Sequence, residues 1–145
     1  MAKPHKHESD VIEIETSIDP SRLADLAVSA TQGIKSTSIG INGVTTGQKI
    51  VAAASGPAAC VFIVKNAIGV ALMQFTLNFQ SASGDRTRAT SSIDTYTTTR
   101  QTVMFIPVSP RTMDGFHMYE GWSKRLSEMV QAEDSTARIN STMVP

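Results

Sequence analysis

Few side chains in this sequence could take part in catalysis, and they are scattered along it. Glu13 and Glu15 alternate with isoleucines, so both carboxylates fall on the outward face of a predicted strand, where they favour solubility over acid–base catalysis. His5 and His7 lie near the N-terminus, but no carboxylate or cysteine completes a tetrahedral metal site with them. His117 falls on the polar side of a predicted helix. We therefore predict no catalytic residue, no metal site and no cofactor.

The motifs of nucleophilic catalysis and phosphate binding are also missing. The sequence contains no Gly-x-Ser-x-Gly, no phosphate-cradling glycine loop and no histidine pair on one helical face. Cys60, the only cysteine, lies in an apolar run without a cationic neighbour, which predicts a small buried side chain rather than a reactive thiolate. An enzyme would need an inward-facing acid or base, and the candidates for that role are Asp94, Tyr96, Tyr119 and Arg88.

The composition is that of one globular domain. The chain has 145 residues, of which 41% are hydrophobic and 18% charged, and this size supports a core without disulfides or metal. Acidic and basic residues balance at 13 each, which argues against nucleic-acid binding as the main task. The sequence has no secretory signal and no apolar run long enough to span a membrane, so we expect a cytoplasmic protein.

The first elements that must position these residues are a strand and a short helix. We expect residues 1–9 to form a flexible tail. Val11 to Glu15 alternates between apolar and acidic residues and predicts a half-buried strand. Asp19 is a good N-cap and Pro20 suits the first helical position, so a helix is predicted from Pro20 to Gln32, with Gly33 as its stop.

Strand patterns continue from Gly33 to about residue 108. Turn signals at Asn42-Gly43 and Ser83-Gly84-Asp85 separate some of them. The clearest strand runs from Val70 to Gln80, because large apolar residues alternate there with polar ones. The six strands predicted in this part of the chain are Ile34–Ile41, Gln48–Ala54, Cys60–Lys65, Val70–Gln80, Arg86–Thr99 and Thr102–Val108.

A long amphipathic helix is predicted from Met113 to Glu133. At about 100° per residue its apolar residues fall on one broad side, which must pack against the sheet. That side carries Phe116, Met118, Tyr119, Trp122, Leu126, Met129 and Val130. Residues 134–145 show no periodicity, and we expect them to form a flexible C-terminal tail outside a domain of residues 10–133.

The order of strand, helix, six strands and long helix resembles the helix-grip fold of the START-like, Bet v 1-like (SRPBCC) superfamily. The resemblance covers residues 10–133 and rests on element order, not on a motif. It implies an α+β fold in which a curved antiparallel sheet of about seven strands wraps a long C-terminal helix, with a cavity between them. One departure is that this sequence predicts a single helix after the first strand, where the superfamily has two.

The predicted site is the space between the sheet and the C-terminal helix. Methionine and aromatic side chains on the facing surfaces suit a deformable apolar pocket, and the small residues Ala89, Ser91, Thr95 and Thr97 would leave volume in it. The candidate ligand-binding residues are Met73, Phe75, Leu77, Met104, Tyr119 and Trp122. The leading hypothesis is non-catalytic binding or carriage of a small hydrophobic or amphipathic molecule, such as a lipid.

Two other functions remain open at this point. The same superfamily includes cyclase, dehydratase and aromatase enzymes, so the resemblance also allows such an activity. Alternatively, the interior is a filled core, and the chain is a structural or partner-binding domain, most simply a homodimer. Fold alone does not decide between these functions.

Overall fold

A computed structural model of the chain describes residues 9–32, 48–99, 102–104, 106–107 and 112–142. Within these ranges the chain is an α+β protein with an antiparallel sheet and a long helix toward the C-terminus, which confirms the predicted α+β class. The predicted strand Ile34–Ile41 and its turn at Asn42-Gly43 lie outside the described residues, as do residues 1–8 of the predicted N-terminal tail.

The main sheet has six strands in the order β10-β1-β5-β4-β3-β2, and each adjacent pair is antiparallel. Its strands are β1 (Ile12–Thr16), β2 (Lys49–Ser55), β3 (Ala59–Lys65), β4 (Ala71–Ala82), β5 (Arg86–Tyr96) and β10 (Arg138–Ser141). Two short ribbons accompany it: β6 (Thr98–Thr99) pairs with β9 (Thr112–Met113), and β7 (Thr102–Val103) pairs with β8 (Ile106–Pro107). The helices are α1 (Pro20–Ser29) and α2 (Phe116–Glu133).

Alternation of apolar and polar residues decides which face of each strand is buried. In β4, Met73, Phe75, Leu77 and Phe79 are buried, while Asn78 between them is exposed. Strand β3 follows the same rule with Cys60, Phe62 and Val64 buried. Because side chains alternate between the two faces of a strand, this pattern gives the sheet one apolar face and one polar face.

Helix α1 begins as predicted and ends slightly earlier. The backbone N–H of Arg22 donates to the Asp19 carboxylate at 2.7 Å, and Pro20 occupies the first turn, so both start signals act as expected. The helix ends at Ser29 instead of Gln32, because the backbone N–H of Thr31 bonds the carbonyl of Val28 at 3.1 Å in a tighter turn.

Helix α2 begins at Phe116, three residues later than predicted, because Gly115 fixes its start. Gly115 has a φ of 85°, a left-handed conformation that favours glycine. A Cβ atom at this position would also lie 3.2 Å from side-chain atoms of Val64 and Met73. The backbone therefore lies so close to the sheet that a larger residue would require these side chains to shift. Met113, shortly before this glycine, belongs to β9.

Two predictions for the C-terminal half need correction. The predicted strand Thr102–Val108 is instead the ribbon of β7 and β8, with Met104 in its turn at a φ of 49°. The predicted flexible tail after Glu133 contains β10, which extends the sheet by pairing with β1, for example Ile139 opposite Ile14. A four-residue strand at a sheet edge has too few apolar positions to produce a recognisable period.

Asp134 explains why the chain returns to the sheet after α2. Its Oδ1 atom accepts hydrogen bonds from the backbone N–H and hydroxyl of Thr136 at 3.0 and 2.6 Å. Its Oδ2 atom accepts from the Thr16 hydroxyl at 2.6 Å and from the Ser17 N–H at 2.9 Å. The hydrogen bonds from Thr136 and Thr16 contribute most to lowering the pKa of Asp134 below its ordinary value.

We predict that Asp134 makes folding stability fall in acid. Because its pKa is lower in the folded state than the unfolded value of about 3.9, its contribution is complete at neutral pH and is lost as pH falls below about 5. Asp134→Asn should lower the urea midpoint at pH 7 and reduce the loss of stability between pH 7 and pH 3. Asp25→Asn, at an exposed position of α1, is the control; equal pH dependence in both variants would contradict the assignment.

Candidate functional site

The apolar face of the sheet meets helix α2 through a cluster of four aromatic rings. Phe62 from β3 and Phe75 from β4 are cross-strand partners, and their ring centroids are 5.2 Å apart. Phe75 lies 4.8 Å from both Tyr119 and Trp122 of α2. Phe62 also lies 5.2 Å from Trp122. These distances are those of rings in direct contact, so the four rings fill the space that they share between the sheet and the helix.

The phenol of Tyr119 is held by a buried chain of hydrogen bonds. It donates to the backbone carbonyl of Asp10 at 3.0 Å and lies 2.6 Å from the Ser91 hydroxyl. Because the single phenolic proton of Tyr119 is donated to the Asp10 carbonyl, the hydrogen bond with Ser91 must be donated by the Ser91 hydroxyl. The Ser91 oxygen in turn accepts from the backbone N–H of Ile12 at 2.9 Å. This chain joins α2 to β5 and to the start of β1.

Burial raises the pKa of Tyr119 to about 12, although the hydrogen bond from Ser91 partly opposes the shift. The phenol therefore stays protonated at neutral pH and acts as a fixed hydrogen-bond donor. A catalytic acid or base needs a pKa nearer the working pH. Trp122 is fixed in a similar way, because its indole N–H donates to the backbone carbonyl of Ala27 in α1 at 2.9 Å.

All the predicted site residues except Met104 come together at this cluster. Their exposed fractions are 1% or less, and they are Met73, Phe75, Leu77, Tyr119 and Trp122. Met104 is 87% exposed in the turn between β7 and β8 and does not belong to this group. The prediction missed Phe62, although the alternation of Cys60, Phe62 and Val64 in β3 was a signal that could have identified it.

The small residues expected to leave volume divide between the two faces of the sheet. Ala89 and Ser91 are fully buried, whereas Thr95 and Thr97 are exposed. Ala89 has Ile14 and Phe79 as its cross-strand neighbours, and both are buried. Ser91 uses its hydroxyl in the hydrogen-bond chain to Tyr119. Bulky or hydrogen-bonded groups therefore surround both buried positions.

The candidate catalytic residues do not converge on one site. Asp94 is exposed and accepts hydrogen bonds from Thr76 and Gln74 on the polar face of β4. Arg88 is also exposed, with its Nε atom 3.5 Å from the Glu13 carboxylate. Tyr96 is half-buried. Asp94 and Arg88 thus lie on the face of the sheet opposite Tyr119.

Outside the aromatic cluster, the described ranges hold a buried cysteine and a charged cleft. No group of three or more histidine, cysteine, aspartate or glutamate residues there could hold a metal ion. Cys60 is free and buried, and burial raises the pKa of its thiol, which favours the unreactive protonated form. No helix of the described chain is long and apolar enough to cross a membrane. An open, charged cleft does occur at one end of the sheet, lined by Glu15, Ser83, Arg86, Thr136 and Arg138.

No family model matches the sequence, and no curated protein is significantly similar to it.

We predict that Tyr119→Phe destabilises the fold by about 1–3 kcal/mol, because the buried Asp10 carbonyl and Ser91 hydroxyl lose a partner. Urea denaturation would measure the loss. Combining it with Ser91→Ala in a double-mutant cycle should give a total smaller than the sum of the two single changes, since both remove the same bond. Strict additivity would show that the Ser91–Tyr119 hydrogen bond contributes nothing.

Proposed function

We propose that the chain is a non-catalytic, partner-binding or structural domain. In this proposal the space between the sheet and α2 is a filled core and not a ligand cavity. The observation that carries this proposal is the way the polar ends of the buried rings are satisfied. Tyr119 bonds Ser91 and Asp10, and Trp122 bonds Ala27. Among the described residues, no buried side-chain nitrogen or oxygen lacks a hydrogen-bond partner, so none is left there to orient a ligand.

A ligand at the predicted positions would have to displace this packing. Separating Phe75 from Tyr119 or Trp122 would break ring contacts at 4.8 Å. Moving either α2 ring would also leave a buried backbone carbonyl unpaired, at a cost of about 1–3 kcal/mol each. These costs subtract directly from the affinity of an apolar ligand. These costs favour binding of a partner at the surface of the domain over binding of a ligand in its interior.

Carriage of a small hydrophobic or amphipathic molecule is the second candidate. One observation favours it: Ile93, Tyr96 and Phe116 pack against the core but are only partly buried. An apolar molecule could contact such a margin without displacing the central rings. The two proposals therefore differ in whether an apolar molecule binds at this margin.

We further propose that the chain adopts a helix-grip arrangement. Two features support this proposal: α2 packs on the apolar face of an antiparallel sheet, and β1 lies beside β5, the last long strand of the β2–β5 meander. The main sheet has six strands in the described ranges, with β10 in addition to the predicted set. We also propose that the protein is cytoplasmic, which is compatible with a single cysteine that is free and buried.

The first test of a filled core is the substitution Ala89→Phe. Ala89 is fully buried between Ile14 and Phe79, so a phenyl ring there should destabilise the fold by about 1–3 kcal/mol or more. The matched control is Ala71→Phe at an exposed position of β4, where a change within about 0.5 kcal/mol is expected. Full stability of Ala89→Phe in chemical denaturation would reveal free volume beside Ala89 and contradict a filled core.

The second test is a titration with apolar probes. Trp122 is the only tryptophan and lies in the aromatic cluster, so its fluorescence reports on the interior. We expect no saturable change in its emission with a fatty acid or anilinonaphthalene sulfonate below about 1 mM. Saturable binding in the micromolar range, lost in a Phe116→Ala variant of unchanged stability, would instead support carriage of a hydrophobic molecule at the margin of the core.

A further inference from the structure

The open cleft at the end of the sheet is a separate candidate site. It has a volume of about 340 Å³, which is at the lower end of the range for small-molecule sites. It lies where the end of β1 and the starts of β5 and β10 meet the chain that leaves α2. Glu15 and Arg86, which line it, alternate along their strands with the buried residues Thr16 and Thr87. The cleft is therefore on the polar side of the sheet, away from the aromatic cluster.

Arg86 lines the cleft, and hydrogen bonds hold its side chain in place. Its Nη2 atom donates to the backbone carbonyls of Thr136 at 3.1 Å and of Glu15 at 3.3 Å, and its Nη1 atom donates to the Thr136 hydroxyl at 3.4 Å. The Glu15 carboxylate is 3.9 Å from its Nε atom. The carbonyl and hydroxyl partners are neutral, so they orient the guanidinium without cancelling its charge. Only the Glu15 carboxylate offsets that charge, and it lies at the limit of ion-pair distance.

Arg138 lies in the same cleft without such partners. Its backbone pairs with Glu15 in the register of β10 and β1, but its side chain makes no ion pair or hydrogen bond within the part of the chain that the structure describes. Arg88, which follows Arg86 on the same face, is paired with Glu13 at 3.5 Å. Three arginines thus face two glutamates here, in a chain whose net charge is zero.

We propose that this cleft binds an oxyanion, namely a phosphate or carboxylate group of a small molecule, with Arg138 as the main ligand. A guanidinium presents a planar fork of N–H donors that matches both kinds of group. Arg86 supplies a second positive charge in a fixed position. Ser83 lines the same cleft, and a serine hydroxyl can donate a third hydrogen bond. The proposal does not depend on whether the interior of the domain holds a ligand.

Titration of the full chain with inorganic phosphate or acetate tests this proposal. Chemical shifts of the backbone amides of Ser83, Gly84 and Arg138 are followed at constant ionic strength with chloride, because salt alone screens exposed charges. Saturable shifts with a dissociation constant below about 10 mM are expected for at least one of the two anions. The anion that binds more tightly identifies the group. If neither anion gives saturable shifts at these amides, the proposal is wrong.

Three variants assign the binding to the cleft. Arg138→Ala should weaken binding about tenfold or more, because it removes a charge-assisted hydrogen bond. Glu15→Gln should tighten it, since it removes the negative charge that opposes the anion. Arg125→Ala, at an exposed position of α2 outside the cleft, should leave the binding unchanged.

Equal weakening by Arg125→Ala and Arg138→Ala, or unchanged binding in Glu15→Gln, would overturn the proposal. Thermal unfolding confirms that each variant is folded.

Discussion

The fold depends on burying Trp122 and Tyr119 of α2 against the sheet without leaving their polar ends unpaired. Large aromatic side chains contribute most to the core when they are buried, but an unpaired N–H or O–H in the interior cancels part of that gain. The indole N–H of Trp122 donates to the backbone carbonyl of Ala27 in α1. The phenol of Tyr119 is hydrogen-bonded to Ser91 of β5, which in turn accepts from the backbone of β1. The two hydrogen bonds therefore fix α1, α2 and the start of β1 relative to one another.

The same requirement extends to the end of α2. Where the chain leaves a helix beside a sheet, the backbone N–H groups of the outgoing chain need acceptors. Asp134 supplies one with its carboxylate, which accepts from Thr16 and Ser17 at the end of β1 and from Thr136 in the outgoing chain. Because the carboxylate joins α2 to β1 at this point, the chain that follows lies along the free edge of β1 and pairs with it as β10.

The sequence allowed prediction of elements whose signals are local. The strict alternation in β4 and the Asp19-Pro20 start of α1 are of this kind, and all the proposed site residues except Met104 lie together. The remaining features depend on distant contacts. Gly115 ends the linker before α2 because Val64 and Met73 lie 3.2 Å from where its Cβ would be. The type of Met104 predicts an interior residue, but Met104 occupies a turn at positive φ, and the position of this turn depends on the pairing of β7 with β8.

The register of β1 against β5 determines which residues face the core and which face the charged surface. Where β1 pairs with β5, Ile14 stands opposite Ala89 on the apolar face, and the next pair, Glu15 and Arg88, stands on the polar face. A slip of one residue would bring Glu15 into the core and Ile14 to the surface. The burial energy of Ile14 thus determines where Glu15, and with it Arg86 and Arg138, can lie. A cleft that carries charged side chains from three strands is therefore held in place by apolar packing on the opposite face of the sheet.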